Sequence, residues 1–172
     1  GMDVFQDMDK VRKSLGVCPQ HDCLWEDLTV HEHLLFAAHQ KGLTGSEAEK
    51  EVDEQIQLIG MQTKKYQLTK KLSGGQKRKG SLAMALVGGS KVVFLDEPTS
   101  GVSVEEKFGI MDIVIAALKQ TETSVLFVEH DMEIVERYVD RVMAFYQGEI
   151  ICDAPPKEAL SDKKVIEYVL GH

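Results

Sequence analysis

Two acidic residues, Asp96 and Glu97, stand directly after the short apolar run 92–95. A continuous apolar run closed by Asp-Glu-Pro is typical of a buried strand in a parallel sheet. One carboxylate at the end of such a strand can hold the water shell of Mg²⁺, and its neighbour can orient or deprotonate an attacking water. Acidic residues also often begin the loop after a strand. For this pair alone, a purely structural role is therefore as well supported as a catalytic one.

A glycine-rich string forms the second candidate site: Leu72-Ser73-Gly74-Gly75-Gln76, ahead of a helical stretch rich in Ala, Leu and Met. The two glycines let backbone N–H groups approach an anion, and the helix N-terminus adds positive potential. Ser73 adds a hydroxyl donor. A lone Gly-Gly pair would usually be only a flexible helix cap, whereas the complete string is much more specific.

Two further polar residues follow predicted strands. Gln20 comes after the apolar residues 14–18, where its amide could contact a metal-bound water. His130 comes after the apolar run 124–128, where it could donate to a phosphate oxygen. Taken singly, each is more simply a polar loop or surface residue. Because ligands of a parallel sheet bind at the carboxyl ends of its strands, we expect both residues near the acidic pair.

The order of predicted elements determines the fold class. A capping-box pattern at Thr29 and Glu32 begins one helix, and Ser46 with Glu49 repeats the pattern for a second, with Gly42 and Gly45 as breaks between them. After residue 72 the chain alternates helix, strand, helix and strand with apolar strands. This order predicts an α/β fold with a parallel sheet.

Composition narrows the class of protein. The sequence has 172 residues, 43% of them apolar and 28% charged, which is typical of one soluble globular domain. A net charge of −8 argues against a broad nucleic-acid or anionic-membrane surface, although the basic stretch Lys77-Arg78-Lys79 is compatible with phosphate or partner contacts. Three cysteines without a CxxC pair indicate free thiols. We therefore expect a cytoplasmic protein that reaches a membrane only through a partner.

In this order and spacing the elements resemble the ABC transporter ATPases. Gln20 matches the Q-loop of that family, and residues 72–76 match its signature motif letter for letter. Residues 92–97 match the Walker B strand with its catalytic glutamate, and His130 matches the switch histidine. The resemblance covers nearly the whole chain and implies a P-loop-NTPase-like parallel sheet core with a helical subdomain.

The resemblance also implies roles, with ATP and Mg²⁺ as cofactors. Glu97 would polarise the attacking water, Asp96 would support Mg²⁺, and Gln20 would contact the metal through water. His130 would stabilise charge on the γ-phosphate. The signature residues Ser73, Gly74, Gly75 and Gln76 would act in trans on the nucleotide of a second ABC ATPase domain. A transmembrane permease subunit would be the other partner, at the inner or plasma membrane, and no nucleic acid is expected.

The sequence also departs from the family. The P-loop pattern GxxxxGK[ST], which precedes the Q-loop in the family, does not occur in the 172 residues. We therefore expect a domain truncated before or at Walker A, with an incomplete core, weak or no ATP binding and no activity alone. Such a core would expose a sheet edge through which copies of the chain could associate. At the D-loop, Ser103 stands where aspartate is usual.

Three segments follow from this interpretation: a residual core strand and Q-loop over 1–20, a helical subdomain over 21–71, and an α/β core over 72–172. Residues 9–101 resemble the lipid-exporter A subfamily, and residues 102–172 resemble ATPases of branched-chain amino-acid importers. Transport direction and substrate stay open.

The favoured function is the ATP-hydrolysing nucleotide-binding domain of a membrane transporter. The alternative is an interaction module that donates its signature motif to a complete partner without hydrolysing ATP. An ABC ATPase acting on DNA or ribosomes ranks low, because the interval between Gln20 and Leu72 has no sustained heptads. A metal site at His31-Glu32-His33 is less expected than surface residues. Trp25 is equally a partner anchor or a hydrophobic staple.

Overall fold

The computed structural model describes residues 3, 5–21, 23–119 and 123–171. Within it the chain forms two compact units, residues 1–128 and residues 129–172. The first unit has an α/β fold with a parallel sheet, as the sequence predicts. Its helices and strands are α1 (Met8–Ser14), β1 (Leu15–Cys18), α2 (Val30–Gln40), α3 (Gly45–Leu58), α4 (Gly74–Leu86), β2 (Val92–Asp96), α5 (Val104–Lys119) and β3 (Ser124–Val128).

The three strands of the first unit are parallel and lie in the order β1-β2-β3. Cys18 pairs with Leu95, and Asp96 pairs with Val128, so the strands end side by side. One face of the sheet packs against α4 and α5. That core includes Cys18, Leu82, Val93, Leu95, Ile110 and Val114.

The other face of this sheet is open. Its apolar side chains are 39–56% exposed: Val17, Val92, Phe94, Leu126 and Val128. The continuous apolar runs predicted strands buried on both faces, whereas in the described part of the chain only one face is covered. This exposed apolar face is unusual, because most soluble domains cover such a patch.

The helices α2 and α3 pack together over a second core with the outer side of α4. Val30, Leu34, Val52, Ile56 and Val87 belong to this cluster. The predicted capping box of α2 is confirmed, since the Glu32 N–H donates to Thr29 Oγ1 and the Thr29 N–H donates to Glu32 Oε2. Hydrogen bonds from the Thr29 backbone N–H and hydroxyl hold the pKa of Glu32 below its usual value.

Two sequence interpretations in this region are wrong. The helix α3 begins at Gly45 with Thr44 as N-cap, so Ser46 lies inside the helix and forms no capping box with Glu49. His33 is not a surface residue, because it is 1% exposed. Its Nε2 accepts from the Trp25 N–H at 2.8 Å, and its Nδ1 therefore donates to the Thr29 carbonyl, also at 2.8 Å.

The short helix α1 was not expected from the sequence, because none of its residues is buried and it lacks an apolar stripe. Lys41, at the end of α2, connects α1 to the sheet. The Lys41 ammonium donates to the carbonyls of Arg12 and Leu15 and, at 2.9 Å, to Ser90 Oγ. Burial lowers the pKa of Lys41.

The second unit contains α6 (Met132–Tyr138), β4 (Val142–Tyr146), β5 (Glu149–Ala154), α7 (Pro156–Ala159), α8 (Lys163–Val165) and a π-helical turn (Ile166–Leu170). Its two strands form an antiparallel hairpin. Gln147 and Gly148 connect them with φ values of 50° and 84°, which a tight hairpin turn of type I′ requires. No helix among the described residues is long and apolar enough to cross a membrane.

Gly16 provides a test of the contact between β1 and α4. A Cβ added to Gly16 would lie 1.9 Å from the backbone oxygen of Ala85, which neither element can avoid without moving. We expect Gly16→Ala to lower the free energy of unfolding by about 2–3 kcal/mol in urea denaturation. Gly109→Ala in α5 is the matched control, since its Cβ would meet no atom within 4 Å. It should raise stability by about 0.5–1 kcal/mol, and equal effects of the two substitutions would contradict the described packing.

Candidate functional site

The loops that follow β1 and β2 meet through two of the predicted site residues. Gln20 Nε2 donates a hydrogen bond to Glu97 Oε2 at 2.6 Å. The residues are 77 positions apart in sequence, and they meet because β1 and β2 are adjacent and parallel with Cys18 opposite Leu95. Both side chains are half-buried. An amide and a carboxylate in direct contact at the carboxyl ends of two strands form the centre of the candidate site.

The backbone of Glu97 is strained. Its φ is 43°, in the left-handed region that residues other than glycine seldom adopt. The Glu97 N–H donates to the Val128 carbonyl at 3.0 Å, and the Glu97 carbonyl accepts from the Ser100 N–H at 2.9 Å. The strained turn ends β2 and directs the chain away from the sheet. Strain of this kind is concentrated at functional sites in proteins.

Beneath these loops lies Arg78, a side chain of α4 that is 1% exposed. Its guanidinium donates to five backbone carbonyls: Nε to Pro98 at 2.9 Å, Nη1 to Pro19 at 2.6 Å and Gln20 at 3.1 Å, and Nη2 to Asp96 and Glu97 at 2.8 Å each. The basic stretch 77–79 was compatible with phosphate or partner contacts, but in the structure Arg78 donates to the backbone of its own chain. Helical spacing does indicate its burial, because it lies three residues after buried Gly75 and four before buried Leu82.

Asp96 ends the central strand and is exposed. It alternates with buried Leu95, so it lies on the open face of the sheet with Phe94. Carboxylate and amide oxygens from Asp96, Glu97 and Gln20 are the donors that Mg²⁺ prefers. No cluster of three or more His, Cys, Asp or Glu side chains suited to a metal occurs among the described residues. The donor set therefore fits a hydrated Mg²⁺ better than a metal enclosed by protein ligands.

The glycine-rich string forms the N-terminus of α4. Ser73 is the N-cap, and its Oγ accepts from the Gln76 N–H at 3.2 Å. Gln76 Oε1 accepts in return from the Ser73 N–H at 3.1 Å. Such a capping box stabilises a helix by about 1 kcal/mol. The side chain of Gln76 therefore has a structural function, while Ser73 and Gly74 are exposed at the helix N-terminus.

Gly75, in contrast, is buried against α5. A Cβ at Gly75 would lie 2.5 Å from Oε1 of Glu106. The carboxylate of Glu106 also accepts from Ser103 Oγ at 3.2 Å, and Ser103 Oγ accepts from the Glu106 N–H at 3.3 Å. The D-loop serine thus holds a negative charge beside the first turn of α4, where the positive end of the helix dipole favours it.

His130 belongs to the second unit. It is exposed, and its N–H donates to Glu129 Oε2 at 3.2 Å. The next residue, Asp131, is the N-cap of α6. The role of His130 at the site stays a prediction.

Comparisons with known proteins show the family of the chain. The sequence model of the family described as ABC transporter matches residues 1–100 of the 172. The chain belongs to the ABC transporter family. Phospholipid-transporting ATPase ABCA3 of Rattus norvegicus is 41% identical over 152 residues, which are 88% of this chain and 9% of that protein. ABC transporter A family member 4 of Arabidopsis thaliana is 39% identical over 159 residues, 91% of this chain and 17% of that protein.

Solved structures show the same fold. The structure of cbiO1 from Clostridium perfringens, described as part of the ABC transporter complex cbiONQ, has a TM-score of 0.80 and 32% identity. The superposition covers 92% of this chain and 63% of cbiO1. An ATP-binding subunit of an ABC transporter superposes with a TM-score of 0.78 at 20% identity, covering 92% of this chain and 66% of that one. The P-loop-NTPase-like fold that the sequence resemblance implied is thereby confirmed.

The A-subfamily likeness extends further than the sequence analysis expected. Alignments with the ABCA3 and plant proteins cover 88% and 91% of the chain, which is more than residues 9–101. The resemblance of residues 102–172 to branched-chain amino-acid importers stays a prediction. The chain spans less than a fifth of either relative, so activity, substrate and partners of the whole protein are matters of proposal.

Proposed function

We propose that these residues form the ATP-binding and ATP-hydrolysing domain of an ABC membrane transporter. The observation that carries the proposal is the hydrogen bond between Gln20 and Glu97 at the ends of adjacent parallel strands. The contact is half-buried and lies beside a strained backbone turn, and strain of this kind is concentrated at functional sites. A carboxylate held in place by an amide is suited to positioning a water.

Each candidate residue then has a distinct task. Glu97 polarises the attacking water, and Gln20 orients that carboxylate and would contact a bound metal through water. Asp96 would support Mg²⁺, which when bound would neutralise charge on the transferred phosphoryl group. Exposed Ser73 and Gly74 present the N-terminus of α4 to the nucleotide of a second domain, while buried Gly75 and the capping Gln76 hold that N-terminus in shape. His130 stabilises charge on the γ-phosphate.

The phosphate cradle comes from outside the 172 residues, because no GxxxxGK[ST] pattern occurs within them. A Walker A segment supplies it, in cis or in trans, and without it this part of the protein is inactive and binds ATP weakly or not at all. The open sheet face supports this proposal. Val17, Phe94 and Val128 are exposed beside the carboxylate of Asp96, so an additional element could cover them and reach the site.

Two protein partners are proposed. The first is a second ABC ATPase domain, and copies of this chain could also associate through the edge strands β1 and β3. The second is a membrane permease, which would hold the domain at the membrane surface. Trp25 and Phe36 form an exposed T-shaped pair at 5.2 Å that is suited to such a contact. The net charge of −8 disfavours nucleic acid.

Hydrolysis tests the proposal. We expect the chain joined to a Walker A segment of a complete A-subfamily relative to hydrolyse Mg-ATP. Glu97→Gln should lower kcat by at least about a hundredfold, because it removes the base that polarises water. Glu105→Gln, on an exposed acidic residue of α5, is the matched control and should leave the rate unchanged. A joined protein that binds Mg-ATP without hydrolysing it, or in which Glu97→Gln is fully active, would contradict the proposal.

The second candidate function is the interaction module that only donates its signature motif. Exposed Ser73 and Gly74 favour it, together with Ser103 at the D-loop. It predicts that the chain raises the ATPase rate of a complete ABC subunit and that Ser73→Arg removes this effect by steric block. Because Ser73→Arg also removes the helix cap, Ser73→Asn is the control that retains a cap and should still stimulate. Absence of stimulation by the wild-type chain argues against this function.

A further inference from the structure

We propose that Arg78 is a positioning residue that holds Gln20 and Glu97 in contact, so that the two loops of the site act as one rigid unit. Its effect on catalysis rests on the function proposed above, whereas its structural role can be tested without nucleotide. Three observations support this role: the hydrogen bonds of Arg78 to both loops, the strained backbone of Glu97 and the position of Arg78 on α4.

The hydrogen bonds of Arg78 divide between the two loops. Nη1 serves the loop after β1, through the carbonyls of Pro19 and Gln20. Nε and Nη2 serve the loop after β2, through the carbonyls of residues 96, 97 and 98. A guanidinium has five N–H donors in a fixed plane. One rigid group therefore sets the distance between the two loops. A lysine ammonium has three donors and no plane, and it cannot reproduce this arrangement.

These carbonyls also account for the burial of a charged side chain. The five oxygens converge at the ends of two parallel strands, where they create a region of negative potential beneath the site. Buried carbonyls need donors, and hydrogen bonds from a charged donor are roughly twice as strong as neutral ones. Arg78 therefore stabilises the junction by satisfying the carbonyls, and the carbonyls offset the cost of burying its charge.

The hydrogen bonds of Arg78 also hold the strained backbone of Glu97. A left-handed φ of 43° persists at a glutamate only where its surroundings hold it. Three of these Arg78 bonds go to Glu97 and its two neighbours in sequence, on both sides of the strained residue. Arg78 thereby maintains the turn that brings the carboxylate of Glu97 to the amide of Gln20.

The position of Arg78 on α4 extends the effect to the signature motif. It lies one helical turn after Gly75, on the same helix whose N-terminus Ser73 caps. A shift of α4 along its axis would therefore change the Arg78 bonds to both loops. The side chain is a direct physical link between the signature helix and the Gln20–Glu97 pair.

The first experiment measures the Arg78 side chain itself, by NMR of the wild-type chain labelled with ¹⁵N-arginine. Five hydrogen bonds should prevent rotation about the Cζ–Nη bonds. We expect separate Hη signals for Arg78 that exchange with solvent at least about tenfold more slowly than those of Arg12. Arg12 is an internal reference, because its side chain is 68% exposed. A single averaged Hη signal that exchanges as fast as that of Arg12 would overturn the proposal.

The second experiment measures the contact that Arg78 is proposed to hold. The chemical shifts of the Gln20 side-chain amide report its bond to Glu97, and Glu97→Ala gives their value without that bond. Arg78→Lys keeps the charge and should move the Gln20 shifts to the Glu97→Ala value. Lys79→Gln, a change at the next basic residue of α4, should leave them at the wild-type value. Wild-type shifts in a folded Arg78→Lys chain would overturn the proposal, and if that variant does not fold, the first experiment decides.

The third measurement separates this proposal from the function. In the chain joined to a Walker A segment, Arg78→Lys should lower kcat by about a hundredfold while the Kd of Mg-ATP stays the same. An equal loss in binding, or an unchanged kcat after loss of the Gln20 contact, would remove its role in catalysis. If the joined wild-type protein hydrolyses no ATP, the proposed function fails, and the two NMR experiments still test Arg78.

Discussion

The backbone carbonyls at the ends of β1 and β2 impose the constraint on which the site depends. Parallel strands bring their last carbonyls to one edge, and beyond that edge the ladder of the sheet no longer satisfies them. Here a single buried guanidinium, that of Arg78, donates to five of these oxygens. Because the same loops carry Gln20 and Glu97, the requirement to satisfy the backbone also determines where the functional side chains lie.

The helix α4 contributes to the site through three parts of its length. Its first turn carries the signature residues and the capping box of Ser73, its buried face carries Arg78, and its last turn packs against β1 at Gly16. A helix fixed at both ends and in its middle has little freedom to move without changing the site. Under the proposal for Arg78, a shift of α4 would therefore change the geometry of Gln20 and Glu97.

Much of this could be predicted from sequence, because the relevant signals are local. Apolar runs predicted the bounds of β2 and β3 closely, and the strand-end rule placed Gln20 near Glu97. The start of α3 was missed because two overlapping capping patterns occur there, Thr44 with Glu47 and Ser46 with Glu49, and the helix begins after the first of them. The role of Arg78 was missed because its acceptors come from two loops that are distant in sequence; helical spacing indicates its burial but not its partners. The apolar runs did not indicate the open sheet face, since an apolar strand has the same sequence pattern whether one or both faces are covered; the expectation of an incomplete core came only from the missing P-loop pattern.

The central claim is that these 172 residues hold the catalytic pair and the signature motif of an ABC ATPase but not its phosphate cradle. Calorimetric titration of the chain with Mg-ATP tests this claim most directly, with the Glu97→Gln variant alongside. The account predicts no saturable heat for either protein at millimolar nucleotide, because the backbone cradle and lysine that bind the phosphates are absent from the chain. Micromolar binding by the wild-type chain would contradict it, since phosphate recognition would then reside in residues to which this account gives other roles.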